Sequence, residues 1–186
     1  MHEEKQRLND DVRASTALYA LLWPHKEAMS VRWIETVHGT YPFDTIGFLR
    51  TKKDRFANPV GYRTEEAAKA IMEVLFTDRP DEEALRKAVD DIIQVRAIQN
   101  FSPEEAVGII YALKDIVRDV VRQSGRITEV ASALWALESR VDAVALMTFG
   151  AYARYRERLH QLRVDEIKRQ NSQIVRLAER NSRRDG

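Results

Sequence analysis

Apolar residues in this chain recur at intervals of three and four along most of its length. That spacing predicts helices, because alternation at two would be needed for half-buried strands. A first helix is expected from about Glu4 to Trp23 on Leu8, Val12, Leu18, Leu21 and Leu22, with Pro24 stopping or re-aiming it. A second carries Met29, Trp33, Ile34 and Val37 and is broken by Gly39 and Pro42. A third is expected to begin at Thr64, read as its N-cap, with Glu65 and Glu66 near the positive end of the dipole and Ile71, Met72, Leu75 and Phe76 on its inner face. A fourth runs from about Pro80 to Gln99 and buries Leu85, Val89, Ile92, Ile93 and Ala97. In "NFSPEEAV", Ser102 is a cap, Pro103 suits the first helical position and Glu105 completes a capping box. A fifth helix therefore starts there and continues on Val107, Ile110, Leu113, Val117 and Val121 to about Gln123, where Ser124-Gly125 allows a bend.

Between Gly39 and Thr64 the periodicity fails. Asn58-Pro59 favours a turn, since the proline ring excludes the helical region for the residue before it. Gly61 is expected to supply a positive φ for the reversal, with Phe56 and Val60 anchoring the loop in the core. From Ile127 to Arg180 only Gly150 interrupts, so one long helix or two nearly collinear ones are expected, roughly 80 Å if unbroken. Its first part is apolar enough to pack in a domain, whereas its last part has a thin apolar stripe in a charged coat. The expected organisation is a helical input domain over 1–155 and a charged signalling or coiled-coil helix over 156–186. Tyr152, Tyr155, Leu159, Leu162, Ile167, Ile174 and Leu177 are the candidate tail interface; they keep no single heptad phase and fit about 3.67 residues per turn better, with Asn171 beside them as a register device.

Composition agrees with an all-α fold, globin-like or bundle-like, of about six helices with the last one projecting. Seven glycines and five prolines among 186 residues, with 44% hydrophobic and 32% charged, is a helix-rich balance. The absence of cysteine excludes disulfides, thiolate metal sites and thiol nucleophiles and leans towards a reducing cytoplasm. Thirty basic and twenty-nine acidic residues nearly cancel, so no global field draws the chain to nucleic acid or an anionic membrane. The polar N-terminus is no signal peptide and no run of about eighteen apolar residues is present. A soluble cytoplasmic protein without membrane insertion is expected. The basic end "VRLAERNSRR" carries interspersed acids and makes no continuous phosphate-tracking stripe, so no nucleic-acid partner is expected.

Candidate chemistry is sparse. His2, His25, His38 and His160 fall in four segments without metal-ligand spacing. His38 follows the Trp33 stripe and is the one candidate haem ligand, with Trp23, Trp33, Tyr41, Phe43, Phe48, Phe56 and Phe76 as an aromatic surround; a capping histidine among core aromatics is the blander reading. Lys52, Lys53 and Arg55 could hold an anion or form a solvated loop. No acid–base dyad, nucleophile elbow or phosphate cradle occurs. The expectation is no enzyme and no cofactor. Arg96 ends an amphipathic helix just before the capping box, where its guanidinium could pin exposed carbonyls or an acid across the core.

Three blocks carry a resemblance: "FANPVGYRTEEAAKAIMEVL", "AVDDIIQVRAIQNFSPEEAVGIIYALKDIVRD" and "ESRVDAVALMTFGAYARYRERLHQLRVDEIKR". Together they resemble the N-terminal domain of RsbRD-type RsbT co-antagonist proteins over roughly Trp23 to Lys168. The resemblance implies a helical, non-haem sensor or adaptor domain related to the globin-like domains of stressosome proteins, acting as a homodimer on a signalling protein. Such domains precede STAS or kinase outputs. Because this sequence reaches Gly186 without one, a stand-alone form is expected.

Overall fold

The computed structural model describes residues 2–42, 45, 57–77 and 81–182. Among them the fold is all-α, built from α1 (His2–Leu22), α2 (Lys26–Gly39), α3 (Pro59–Phe76), α4 (Glu82–Ile98), α5 (Pro103–Ser124) and α6 (Ile127–Ser182). A single turn of 3-10 helix, Trp23–His25, joins α1 to α2, with Pro24 at the position where its missing N–H costs nothing. The first half of α6 is the centrepost, and α1, α4 and α5 pack on it. Helix α3 lies against α4 and α2, which in turn touches α5. One continuous core joins Leu18 and Leu22 of α1 to Trp33, Ile71, Leu75, Ile93, Leu113, Val117, Leu137 and Val141.

The helix ends show why the elements stand where they do. Ser102 Oγ accepts from the Glu105 N–H at 3.2 Å while the Glu105 carboxylate accepts from the Ser102 N–H at 2.8 Å, a reciprocal box that starts α5. Asp81 caps α4 through the N–H groups of Glu83 and Ala84. Gly125, with φ of 70°, ends α5 in the left-handed region where a side chain would be strained, and α6 starts two residues later.

Three expectations are corrected. Helix α3 begins at Pro59, not Thr64: Asn58 is the N-cap, and the Thr64 hydroxyl is buried inside the helix, donating to the Val60 carbonyl. Gly61 therefore sits within a helical turn and takes no positive φ. What requires glycine is a close approach, because a Cβ there would lie 2.8 Å from Asn58 Cγ and collide with the amide that caps its own N–H. Replacing Gly61 by alanine should thus lower stability by about 1–2 kcal/mol through loss of the cap, although alanine is the better helix former. A melting temperature equal to or above that of the parent chain would show that the amide turns away at no cost. Thirdly, Val12 and Trp23 are exposed, so neither belongs to the core; Trp23 meets Phe76 edge-on at 5.8 Å. Val60 is half-buried. Phe43, Phe48, Lys52, Lys53, Arg55 and Phe56, and the side chains of Leu8 and Leu177, lie outside the described residues.

Candidate functional site

Two regions of the surface and subsurface stand out, a polar corner and an apolar helical face. The corner is where α4 turns into α5. Helix α4 is closed by Asn100, two residues past its end and the one non-glycine residue with positive φ (61°) among the described residues, and the Phe101 N–H reaches back to the Arg96 carbonyl at 3.2 Å. This six-to-one closure is a Schellman-type end, for which asparagine is the usual substitute for glycine.

Arg96 fills the inside of that corner. Its side chain is fully buried, donating from one terminal nitrogen to Thr40 Oγ at 2.9 Å and to the Glu105 carbonyl at 3.0 Å, while the guanidinium lies 4.0 Å from the Phe101 ring centroid and 5.6 Å from that of Tyr41. Tyr41 and Phe101 meet edge-on at 5.1 Å. Burial pulls the Arg96 guanidinium below its ordinary value, opposed by Tyr41 and Glu105, and pushes the Tyr41 phenol above its own, opposed by Arg96. Arg96 Nε and its other terminal nitrogen have no hydrogen-bond partner among the described residues. The cation is held by aromatic faces and neutral oxygens.

Helix α6 clamps the corner from the other side. Tyr152 donates its hydroxyl to the Phe101 carbonyl at 2.6 Å, and Arg156 donates to Asn100 Oδ1 at 3.1 Å and to the Ala97 carbonyl at 3.3 Å. Tyr152 is buried here, which removes it from the tail interface where the sequence reading placed it. Neither Arg156 nor Asn100 was singled out beforehand, since an arginine that caps a helix from a distant segment has no local signature. Farther up α6, Arg140 donates to the Thr77 carbonyl at the end of α3 and to the Tyr19 hydroxyl on α1, both at 2.8 Å.

The apolar face lies where α5 and α6 run side by side. Pro103, Val107, Gly108, Tyr111, Leu146 and Phe149 border a groove of about 490 Å³. Trp135, Leu146 and Phe149 are 74%, 70% and 52% exposed, far more than a helix in the centre of a domain requires. Ion pairs between the two helices, Arg118 with Glu138 at 2.7 Å and Lys114 with Asp142 at 2.6 Å, accompany it.

Of the remaining candidates, Tyr155 and Leu159 are half-buried, whereas Leu162, Ile167 and Ile174 are exposed. His38 is buried in the last turn of α2, where its carbonyl accepts from the Tyr41 N–H at 3.0 Å. Among the described residues, no group of three or more metal-binding side chains converges and no helix is long and apolar enough to cross a membrane.

A family model described as the RsbT co-antagonist protein rsbRD N-terminal domain matches residues 27–167. No curated protein and no solved structure matches the chain.

Proposed function

We propose, on the premise that this chain belongs to the RsbRD N-terminal domain family, that it is a non-catalytic sensor or adaptor domain of the cytoplasm. In this reading it dimerises and passes the state of its helical core to a signalling protein through α6. The observation that carries the proposal is the course of α6. The helix enters the core at Val130, is held to the other helices through Arg140, Tyr152 and Arg156, and continues as an unbroken helix to Ser182, with mostly exposed side chains over residues 160–176. A rigid helix anchored at one end and free at the other converts a small rotation or shift of the core into a displacement of its tip.

The corner supports the same reading. Thr40, Arg96, Phe101 and Tyr152 join the end of α2, the α4–α5 turn and the exit of α6 in one set of contacts. A change in α2 or α4 would thus bear on the point where α6 leaves the core.

Molar mass by light scattering across a concentration series, for the full chain and for a truncation after Tyr155, tests the proposal. A dimer for the full chain that weakens at least tenfold on truncation is the expected result. A full chain that stays monomeric at every concentration would refute a dimeric input domain.

A further inference from the structure

The side chains on the free face of α6 do not coincide with the stripe read from the sequence. Tyr152, Tyr155 and Leu159 turn towards the domain, about 100° around the helix from Leu146, Ala153, Val164, Ile167, Asn171 and Ile174. Eighteen residues make five turns of an α-helix, so Leu146 and Val164 share one direction, as do Phe149 and Ile167, and Ala153 and Asn171. The apolar patch on the domain and the apolar line on the tail therefore form one seam along the same face of α6, interrupted between Ala153 and Val164 by Glu157 and His160.

Within the tail that seam is a heptad. Val164 and Asn171 take the a positions and Ile167 and Ile174 the d positions, spaced three, four and three. Ile167 and Ile174 are 56% and 63% exposed, as expected of residues that await a partner helix. Two heptads cannot hold a helix pair alone. They can do so as an extension of the domain patch.

We infer that a second copy of this chain covers this seam, with the two α6 helices parallel and in register. This rests on the dimeric reading above and names its surface. Three features favour a second copy. The seam from Trp135 to Ile174 is nearly 60 Å long at 1.5 Å per residue; at one helix width it offers on the order of 700 Å² per copy, close to what a stable interface needs. A parallel pair brings the two domain patches together at one end and the two tails together at the other, so one two-fold axis satisfies both. Asn171 at an a position meets its own copy only in the in-register parallel arrangement, and meets apolar side chains in shifted ones.

The flanks set the strength of the joint. Arg163 and Lys168 occupy the g and e positions, so the parallel pair places Arg163 of each helix beside Lys168 of the other. Asp165 and Glu166 lie away from the seam, engaged by Gln161, Gln170 and Arg169. Like charges at the flanks weaken the tail pair without abolishing it, so the domain patch and the tail both contribute to holding the dimer. Salt, which screens exposed charges, should tighten the tail pair.

Because the chain has no cysteine, a single introduced one reports the seam directly. Ile167→Cys places a thiol at a d position, where the two copies approach within disulfide reach, and Ser172→Cys places one on the far side of the helix. Both sites are exposed, so neither variant should fail to fold. Under mild oxidation the Ile167→Cys chain is expected to become mostly covalent dimer, faster at 0.5 M than at roughly 0.05 M salt, while the Ser172→Cys chain crosslinks at least tenfold more slowly. Equal crosslinking of the two variants, in a chain that light scattering shows to be dimeric, would overturn the seam and leave dimerisation standing. A monomer at every concentration would overturn both.

Discussion

Replacing Trp33 by alanine should lower the unfolding free energy by about 4 kcal/mol, the largest effect expected of any single change considered. Trp33 is fully buried, and its indole N–H donates to the Ile109 carbonyl at 2.6 Å, joining α2 to α5. Alanine removes most of a large side chain from the continuous core, and a close-packed interior relaxes only partly into the space left behind. For a chain of this size the loss corresponds to a fall in melting temperature of roughly 8–16 °C. Phenylalanine keeps most of the burial while deleting the indole N–H, so Trp33→Phe should cost about 1–2 kcal/mol and separate the packing contribution from the hydrogen bond. Denaturant titration followed by circular dichroism measures both. A loss below about 1 kcal/mol for the alanine variant would mean that α2 is not docked through this residue.

The second large effect is at Arg96, where alanine should cost about 3 kcal/mol. The guanidinium fills the α4–α5 corner, and its removal leaves Thr40 and the Glu105 carbonyl without their buried donor and the Phe101 and Tyr41 rings facing a void. The pattern among replacements is more telling than the size of one. Lysine retains the charge but not the planar fork that lies against Phe101 and reaches two acceptors, so Arg96→Lys should also be clearly destabilised. Methionine fills the volume without bringing a charge out of water, and buried charges exchanged for well-packed apolar groups are often neutral. Arg96→Met should accordingly be the least harmful of the three. An alanine variant as stable as the parent chain would show that Arg96 does not pin the corner, and would return it to the candidates for ligand binding.

How far the sequence could be read depended on whether each signal was local. The start of α5 was legible because Ser102, Pro103 and Glu105 complete their own box within four residues, and the inner faces of α4 and α5 followed from spacing alone. Asn58-Pro59 carries the same cap-then-proline signature as Ser102-Pro103, yet the nearby Thr64-Glu65-Glu66 offered a competing start, and Gly61 invited a turn. Only the packing of Gly61 against the Asn58 amide decides between them, and that is a contact across one helical turn which no propensity records.

The tail was harder for a different reason. Around Tyr152 to Leu162 the helix is leaving the domain, so apolar residues cover two of its faces at once, one turned inward and one outward. A single stripe drawn through both mixes their phases, which is why it seemed to lack a heptad. Once Tyr152 is seen bonded to Phe101, and Leu146 and Ile167 are seen exposed, the faces separate and the a and d positions of the tail, from Val164 to Ile174, stand clear. The corner arginines, Arg140 and Arg156, could not be found in this way at all, because their acceptors are backbone carbonyls and side chains more than fifty residues away.

If α6 is the element through which the domain pairs and reports its state, the amides of its outer half are covered in the dimer. Hydrogen exchange at the amides of residues 160–176, followed by mass spectrometry at low and high protein concentration, measures that cover. An unpaired helical end frays and exchanges readily, whereas a helix covered by its copy opens only when the pair opens. Protection that rises with concentration in step with dimer formation is the predicted result. Fast exchange of these amides, unchanged between monomeric and dimeric solutions, would contradict the account.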